Sequence, residues 1–392
     1  MIFATNTYRI TIYCHRGGKK IINFLIYYLK LNLFFSLFYA KFKKIVIVFN
    51  SKLRRRLNQK IMVSKISQVN QRKEVIRTLE STYPISTEKV NLAIIGTGAW
   101  GSALAKLADY NQHEIYLWSR KLNISLEQVL KDIDMIVSAI SMKGVNETVD
   151  KIKKIGLPTK VIIVTATKGL DPKTTRTPSQ IWKTNFPNNP VVVLSGPNLS
   201  KEIDDKLPAA TVVASKDIAA ATIVQNIFAS GIFRVYSSSD PIGTELGGTL
   251  KNVIAIASGV CDGLGLGTNA KSALLTRALA EIIRIGTHLG GRTETFFGLS
   301  GLGDMLATCS SSLSRNYQVG YGLAQGKSLE EILEELPGTA EGVNTTNVLI
   351  DIASRDKIPL PISSQVFLLL NGKITPEEAV EALMERDLKA EF

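Results

Sequence analysis

The feature that most constrains this chain is the run Gly96-Thr97-Gly98-Ala99-Trp100-Gly101, because of what flanks it. Residues 90–96 (VNLAIIG) are apolar and β-branched, the pattern of a strand buried on both faces of a parallel sheet. Ala99–Tyr110 then reads as a helix. A strand that enters a helix through glycines spaced this way makes a tight turn, lets a ligand approach the backbone, and lets helix and strand pack closely. The helix N-terminus offers unpaired N–H groups to an anion. The run therefore predicts a dinucleotide site with its pyrophosphate at Gly96, Gly98 and Gly101. The spacing alone also occurs in unrelated turns, and the strand–turn–helix context gives it weight.

The pattern continues downstream. A second strand, His113–Ser119, ends in Arg120, where a carboxylate would bind the ribose hydroxyls of NAD. Arg120 suits a 2′-phosphate instead, so the cofactor is NADP or NAD, and a solvated surface arginine is an equal reading. A short helix over Ser125–Asp132 precedes strand Met135–Ser141 and helix Val145–Lys154. Strands follow at Lys160–Thr167, Pro190–Gly196, Ala210–Ala214 and Phe233–Ser237, with helix Ile218–Ala229 before the last. Such alternation predicts an α/β Rossmann-like, mostly parallel sheet with helices on both faces, over residues 90–239. Lys168-Gly169 and Ser195-Gly196-Pro197-Asn198 close two of these strands at their carboxyl ends, where open α/β sheets bind ligands.

Residues 240–392 change to a helical pattern and predict an all-α second domain. In Thr244–Gly259, Leu246, Leu250, Val253, Ile254 and Ala257 form an apolar stripe, and Lys251 lies off it. Gly247 and Gly248 sit one turn before Lys251, and room for a ligand beside an ammonium group is the expected reason for them. The bland alternative is a solvated lysine. A helix over Ala270–Leu289 stops at Gly290-Gly291. A glycine-rich stretch from Gly298 to Gly303 then reads as a flexible turn presenting Asp304. Ser314-Arg315-Asn316 gathers hydroxyl, guanidinium and amide donors, which suits a phosphate. The remainder reads as amphipathic helix, with starts at Ser328 and Thr375-Pro376.

The net charge of +13 looks like a nucleic-acid signal until it is localised. Residues 1–61 hold 13 of the 47 Lys and Arg and none of the 34 Asp and Glu, so residues 62–392 are formally neutral. No nucleic-acid partner is expected of the folded part. Within 1–61 the longest uncharged stretch, Leu31–Ala40, is too short to span a bilayer as a helix, and no stable membrane insertion is expected. An anchor, an organelle-targeting leader and translated upstream sequence with a start at Met62 all fit this segment. The last is favoured by its AT-rich-codon composition and by the charge balance that returns at Met62. Residues 62–89 read as a linker with a helix over Gln68–Ser81. Cys14, Cys261 and Cys309 form no metal-spaced cluster, so no metal is expected, and a reducing compartment fits.

Taken in order, GTGAWG, TKG, SGPN, GTELGGTLKN, GLSGLGD and SRN resemble the bacterial-type NAD(P)-dependent sn-glycerol-3-phosphate dehydrogenases, from about Val90 to the C-terminus. The resemblance implies a Rossmann domain followed by a helical substrate domain, commonly as a cytoplasmic homodimer. It implies interconversion of dihydroxyacetone phosphate and sn-glycerol 3-phosphate for glycerophospholipid synthesis. It makes Lys251 the proton donor and acceptor. It assigns Lys168, Gly196, Asn198, Lys251, Asp304, Ser314, Arg315 and Asn316 to the substrate. It assigns Trp100, Arg120, Lys168, Ser200, Arg315 and Glu341 to the cofactor, beside Gly96, Gly98 and Gly101. Two departures stand out. The segment after the second strand is shorter than the family usually has, a pattern of cyanobacterial-type members, and Asn198 replaces the usual Ser or Thr. Competing functions are another β-hydroxyacid dehydrogenase, which would need a carboxylate site, and a silent nucleotide sensor, which would lack Lys251 or the Asp304 loop.

Overall fold

A computed structural model describes Glu74, residues 89–388, Ala390 and Glu391. The segment 1–61 and, Glu74 apart, the helix expected over Gln68–Ser81 lie outside the described residues. The chain divides into compact units at Val75, and the fold described below belongs to the second, Ile76–Phe392.

Strand β1 (Asn91–Ile95) leads into α1 (Ala99–Tyr110), then β2 (Glu114–Trp118), α2 (Leu126–Val129) and β3 (Met135–Ser138). Helix α3 (Val145–Ile155), β4 (Ile162–Thr165), α4 (Pro178–Asn185), β5 (Val191–Ser195) and α5 (Ser200–Asp204) follow. Strand β6 (Ala209–Ala214), α6 (Ile218–Phe228) and β7 (Phe233–Ser238) complete the sheet. The strands lie in the order β2-β1-β3-β4-β5-β6-β7. All neighbours are parallel except β5 and β6, where Val193 pairs with Ala214 and Ser195 with Val212. Between them the chain makes a short connection, residues 196–208, which includes the five-residue helix α5.

The alternation of each strand decides its two faces. Leu92, Ile94, Val137, Val164 and Leu194 pack with Leu104 and Leu107 of α1 and with Val224 and Phe228 of α6. Ala93, Ile95, Ile136 and Ile163 point the other way, against Val145, Val149 and Ile152 of α3 and Ile181 and Trp182 of α4. Strand order reverses at β1, which opens a crevice at the carboxyl ends of β1 and β3.

The second half is helical: α7 (Pro241–Gly263), α8 (Gly267–His288), α9 (Thr293–Phe297), α10 (Asp304–Cys309), α11 (Arg315–Ala324), α12 (Leu329–Glu335), α13 (Glu341–Asp356), α14 (Pro361–Leu370) and α15 (Pro376–Met384). Helix α7 is its axis, and Leu246, Leu250, Val253 and Ile254 are fully enclosed. Asp240 caps it, accepting from Gly243 N at 3.0 Å, and also takes Arg292 N and the Thr295 hydroxyl. Helices α7 and α11 cross at backbone contact: a Cβ on Gly320 would lie 1.8 Å from Ile256 O, and one on Gly259 2.1 Å from Tyr317 O.

Two buried carboxylates act as helix caps from a distance. Ser179 donates its N–H to Glu245 Oε1 at 2.9 Å and its hydroxyl to Oε2 at 2.5 Å, which docks α7 onto the start of α4. Glu281 of α8 accepts from Ile362 N and Ser363 N at the start of α14. Among the described residues no helix is long and apolar enough to cross a membrane, and no His, Cys, Asp and Glu group could hold a metal.

Candidate functional site

The glycine turn divides its labour as its spacing predicts. Gly96 has φ +107°, and a Cβ there would meet Ala139 O at 2.6 Å, so the turn lies against the chain leaving β3. Gly101 rests on Gly96 O, 1.9 Å from where its Cβ would be. Gly98 has nothing within 4 Å on that side and opens outward. It is also the N-cap of α1 and supplies no side-chain cap, so the first N–H groups of the helix stay available. Trp100 is half-buried with an unpartnered Nε1. These features fit a pyrophosphate. Arg120, beyond β2, is exposed and lies 3.8 Å from Glu147 of α3.

A second cluster forms where the two halves meet. Lys168, just past β4, donates to Asp304 Oδ2 at 2.5 Å and reaches Gly196 O at 3.5 Å. Lys251 of α7 donates to Asp304 Oδ1 at 2.7 Å and to the Thr308 hydroxyl, which in turn donates to Asp304 Oδ1 at 3.2 Å. One carboxylate thus bridges two ammonium groups. Lys251 is only 6% exposed and Asp304 2%, so that end of the network is almost out of water, whereas the Lys168 side chain keeps 21% of its surface exposed. Burial lowers the Lys251 pKa to about 8, and the Lys168 charge adds to that effect against the pull of Asp304.

Local sequence explains the placement, and it corrects two expectations. Gly298 to Gly303 is not a flexible turn: Leu299–Gly303 is a wide π turn wound directly onto α10. A Cβ on Gly301 would strike Phe296 O at 2.2 Å. Nor do Gly247 and Gly248 leave room for a ligand. A Cβ on Gly247 would lie 2.7 Å from Ser300 O, and one on Gly248 2.2 Å from Ser195 Oγ. Both positions are filled by protein, and this close seating brings the π turn and β5 onto α7, within reach of Lys251.

A third group gathers around the start of α11 and α13. Ser314 caps α11, its Oγ accepting from Tyr317 N at 3.3 Å. Arg315 follows it, close enough that a Cβ on Gly338 would lie 2.5 Å from Nη1. Asn316 Oδ1 accepts from Gly342 N at 2.9 Å. Glu341, its pKa raised by burial, accepts from Met142 N at 3.2 Å, and so links α13 to the chain leaving β3. Gly169 N donates to Thr249 Oγ1 at 3.1 Å, a further tie between the halves.

Two sequence-predicted residues stand apart. Asn198 donates to Ala210 O at 3.0 Å and accepts from the Thr211 hydroxyl at 2.9 Å, so its amide is engaged with β6. Ser200 opens α5, half-buried. Sequence reasoning missed Thr308, although it lies four residues after Asp304 on one helix face, the spacing that could have found it. Nor does any strand-end or motif position mark the pairing of Glu147 with Arg120.

Comparison with known proteins agrees in extent with this architecture. The family model described as NAD-dependent glycerol-3-phosphate dehydrogenase C-terminus matches residues 240–381, and its N-terminus counterpart matches 91–125 and 121–221. The chain is 65% identical over 300 residues to glycerol-3-phosphate dehydrogenase [NAD(P)+] of Acaryochloris marina, covering 76% of this chain and 97% of that protein. It is 64% identical over 301 residues to the protein of that name from Synechocystis, covering 77% and 95%. A crystal structure of glycerol-3-phosphate dehydrogenase from Coxiella burnetii matches with TM-score 0.73 and 32% identity, over 76% of this chain and 99% of that one. A Plasmodium falciparum glycerol-3-phosphate dehydrogenase shares the fold at TM-score 0.70 and 19% identity, over 81% and 99%.

Proposed function

The chain belongs to the NAD-dependent glycerol-3-phosphate dehydrogenase family, and from that premise we propose that it interconverts dihydroxyacetone phosphate and sn-glycerol 3-phosphate with NADPH or NADH. The observation that carries this reading is the Lys251–Asp304–Lys168 bridge at the carboxyl end of the sheet, with Lys251 and Asp304 buried and Lys168 part-exposed. Interconverting a ketone and a secondary alcohol moves a hydride and a proton. When bound, the reduced nicotinamide supplies the hydride to the carbonyl carbon.

The chain's own groups handle the proton. As the carbonyl oxygen gains negative charge, the Lys251 ammonium donates a proton to it, and the product is the alcohol. In the reverse direction neutral Lys251 accepts the hydroxyl proton. A pKa near 8 keeps the ammonium form dominant at neutral pH while making it a stronger acid than an exposed lysine. Asp304 and Thr308 fix the direction of the Lys251 Nζ. Lys168, Gly196, Ser314, Arg315 and Asn316 would receive the phosphate and hydroxyls, and that remote binding energy positions the reacting carbon. Asn198 would then contribute by holding the turn after β5 against β6. The turn at Gly96, Gly98 and Gly101 would take the pyrophosphate, Arg120 the adenosine ribose, and Trp100, Lys168, Ser200, Arg315 and Glu341 the rest of the dinucleotide.

The same reading makes the protein a cytoplasmic homodimer that supplies glycerophospholipid synthesis. The buried, unpaired Cys261 and Cys309 support a reducing compartment. Purified protein given dihydroxyacetone phosphate should oxidise both NADPH and NADH and sediment at twice the chain mass. Nucleotide binding without turnover of either would overturn the substrate assignment, and a monomer mass the assembly.

A further inference from the structure

Arg120 does not stand alone beyond β2. Its Nη1 lies 3.8 Å from Glu147 Oε2, and the other oxygen of the same carboxylate, Oε1, takes Lys151 Nζ at 2.7 Å. Lys151 also lies 5.9 Å from the centre of the Trp118 ring, at the end of β2. All three charged groups are exposed, with side-chain accessibilities of 71% for Arg120, 51% for Glu147 and 45% for Lys151, so a ligand can reach each. The two cations, Lys151 foremost, hold the Glu147 carboxyl below its usual range, and it is an anion at neutral pH.

The arrangement supplies from α3 what β2 lacks. A dinucleotide fold commonly presents a carboxylate near the end of its second strand to receive the ribose 2′-hydroxyl, and here that place holds Arg120. A carboxylate comes instead from α3, the helix after β3, as Glu147 at 3.8 Å from Arg120. A 2′-hydroxyl can donate to Glu147. A 2′-phosphate is repelled by Glu147 and attracted by Arg120, and must displace the carboxylate from the guanidinium.

We propose that Glu147 is a specificity-determining residue: it receives the ribose 2′-hydroxyl of NADH and competes with the 2′-phosphate of NADPH for Arg120. The proposal rests on the dinucleotide reading above and adds the residue that balances the two cofactors. Glu147 lies outside the Lys251–Asp304–Lys168 bridge, so replacing it leaves the proton-transferring groups intact.

The test is nucleotide binding by the purified protein, read as enhanced NADPH and NADH fluorescence at low ionic strength, without substrate. E147Q frees both Arg120 and Lys151. It should tighten NADPH and weaken NADH, each by about threefold, the scale of an exposed ion pair. R120Q should weaken NADPH by about tenfold and leave NADH within about twofold. The NADPH effect of E147Q should shrink in high salt. An E147Q protein whose NADPH-to-NADH ratio of dissociation constants equals that of the wild type overturns the proposal while leaving the dinucleotide site standing. Failure of the wild type to bind either nucleotide overturns the dinucleotide reading and this proposal together.

Discussion

At the scale of single residues, the proposed chemistry turns on how strongly Lys251 holds its proton. Burial lowers its pKa to about 8, so the ammonium proposed as the acid in reduction is the major form below that pH and is lost above it. The reductive kcat should therefore fall as pH rises through about 8, and the oxidative rate should rise over the same interval. K251M should lower kcat by about 10²- to 10⁴-fold, the usual worth of a positioned acid–base group, and abolish this limb of the profile. Steady-state kinetics across pH checks both, and a Met variant that retains near-normal turnover would remove Lys251 from the role. Thr308 belongs at this scale too. It shares Asp304 with Lys251, and while helical spacing pairs Thr308 with Asp304, the packing of α10 on α7 brings Lys251 to both.

At the scale of elements, the crossing of α7 and α11 is the most demanding contact. Gly320→Ala would gain the better helix propensity of alanine, worth about 1 kcal/mol on an open surface. Here the added methyl would collide with Ile256 O, and the helices would have to part. We expect a net loss of about 1–3 kcal/mol and a lower Tm by calorimetry. An unchanged Tm would mean that the crossing yields freely. Element by element, β1, its glycine turn and α1 are legible to within a residue, because one local pattern encodes strand, turn and helix together. The reversed direction of β6 is not, since an apolar run such as Ala210–Ala214 looks the same parallel or antiparallel. Helices α4 and α5 are too short and polar to show a period. Gly247 and Gly248 were legible as close approach but not as to what approaches, because Ser195 and Ser300 lie 53 residues away from Gly248 and from Gly247 in opposite directions along the sequence. The residue types at Lys168, Lys251 and Asp304 were visible in the sequence, whereas their meeting at a single carboxylate needed the fold.

At the scale of the whole molecule, Glu245 joins the halves. Burial raises its pKa from 4.5 to about 7, so the folded state holds a proton there that the unfolded chain gives up. Between those values the unfolded state binds fewer protons, and this group's contribution to stability falls as pH rises from about 4.5 to 7. Glu245→Gln removes that titration. Relative to wild type, its unfolding free energy should climb across the same window by an amount on the order of 2–3 kcal/mol. Denaturant melts at pH 5 and pH 8 measure it, and a constant difference between the proteins would reject the assignment. Helix α7 carries Glu245 and Lys251 six residues apart, so the clasp and the proposed acid ride on one helix. Robustness and turnover are consequently not separate targets for protein engineering. A change that re-seats the helix for durability also re-aims the ammonium, and a search for faster variants will be filtered through the same joint.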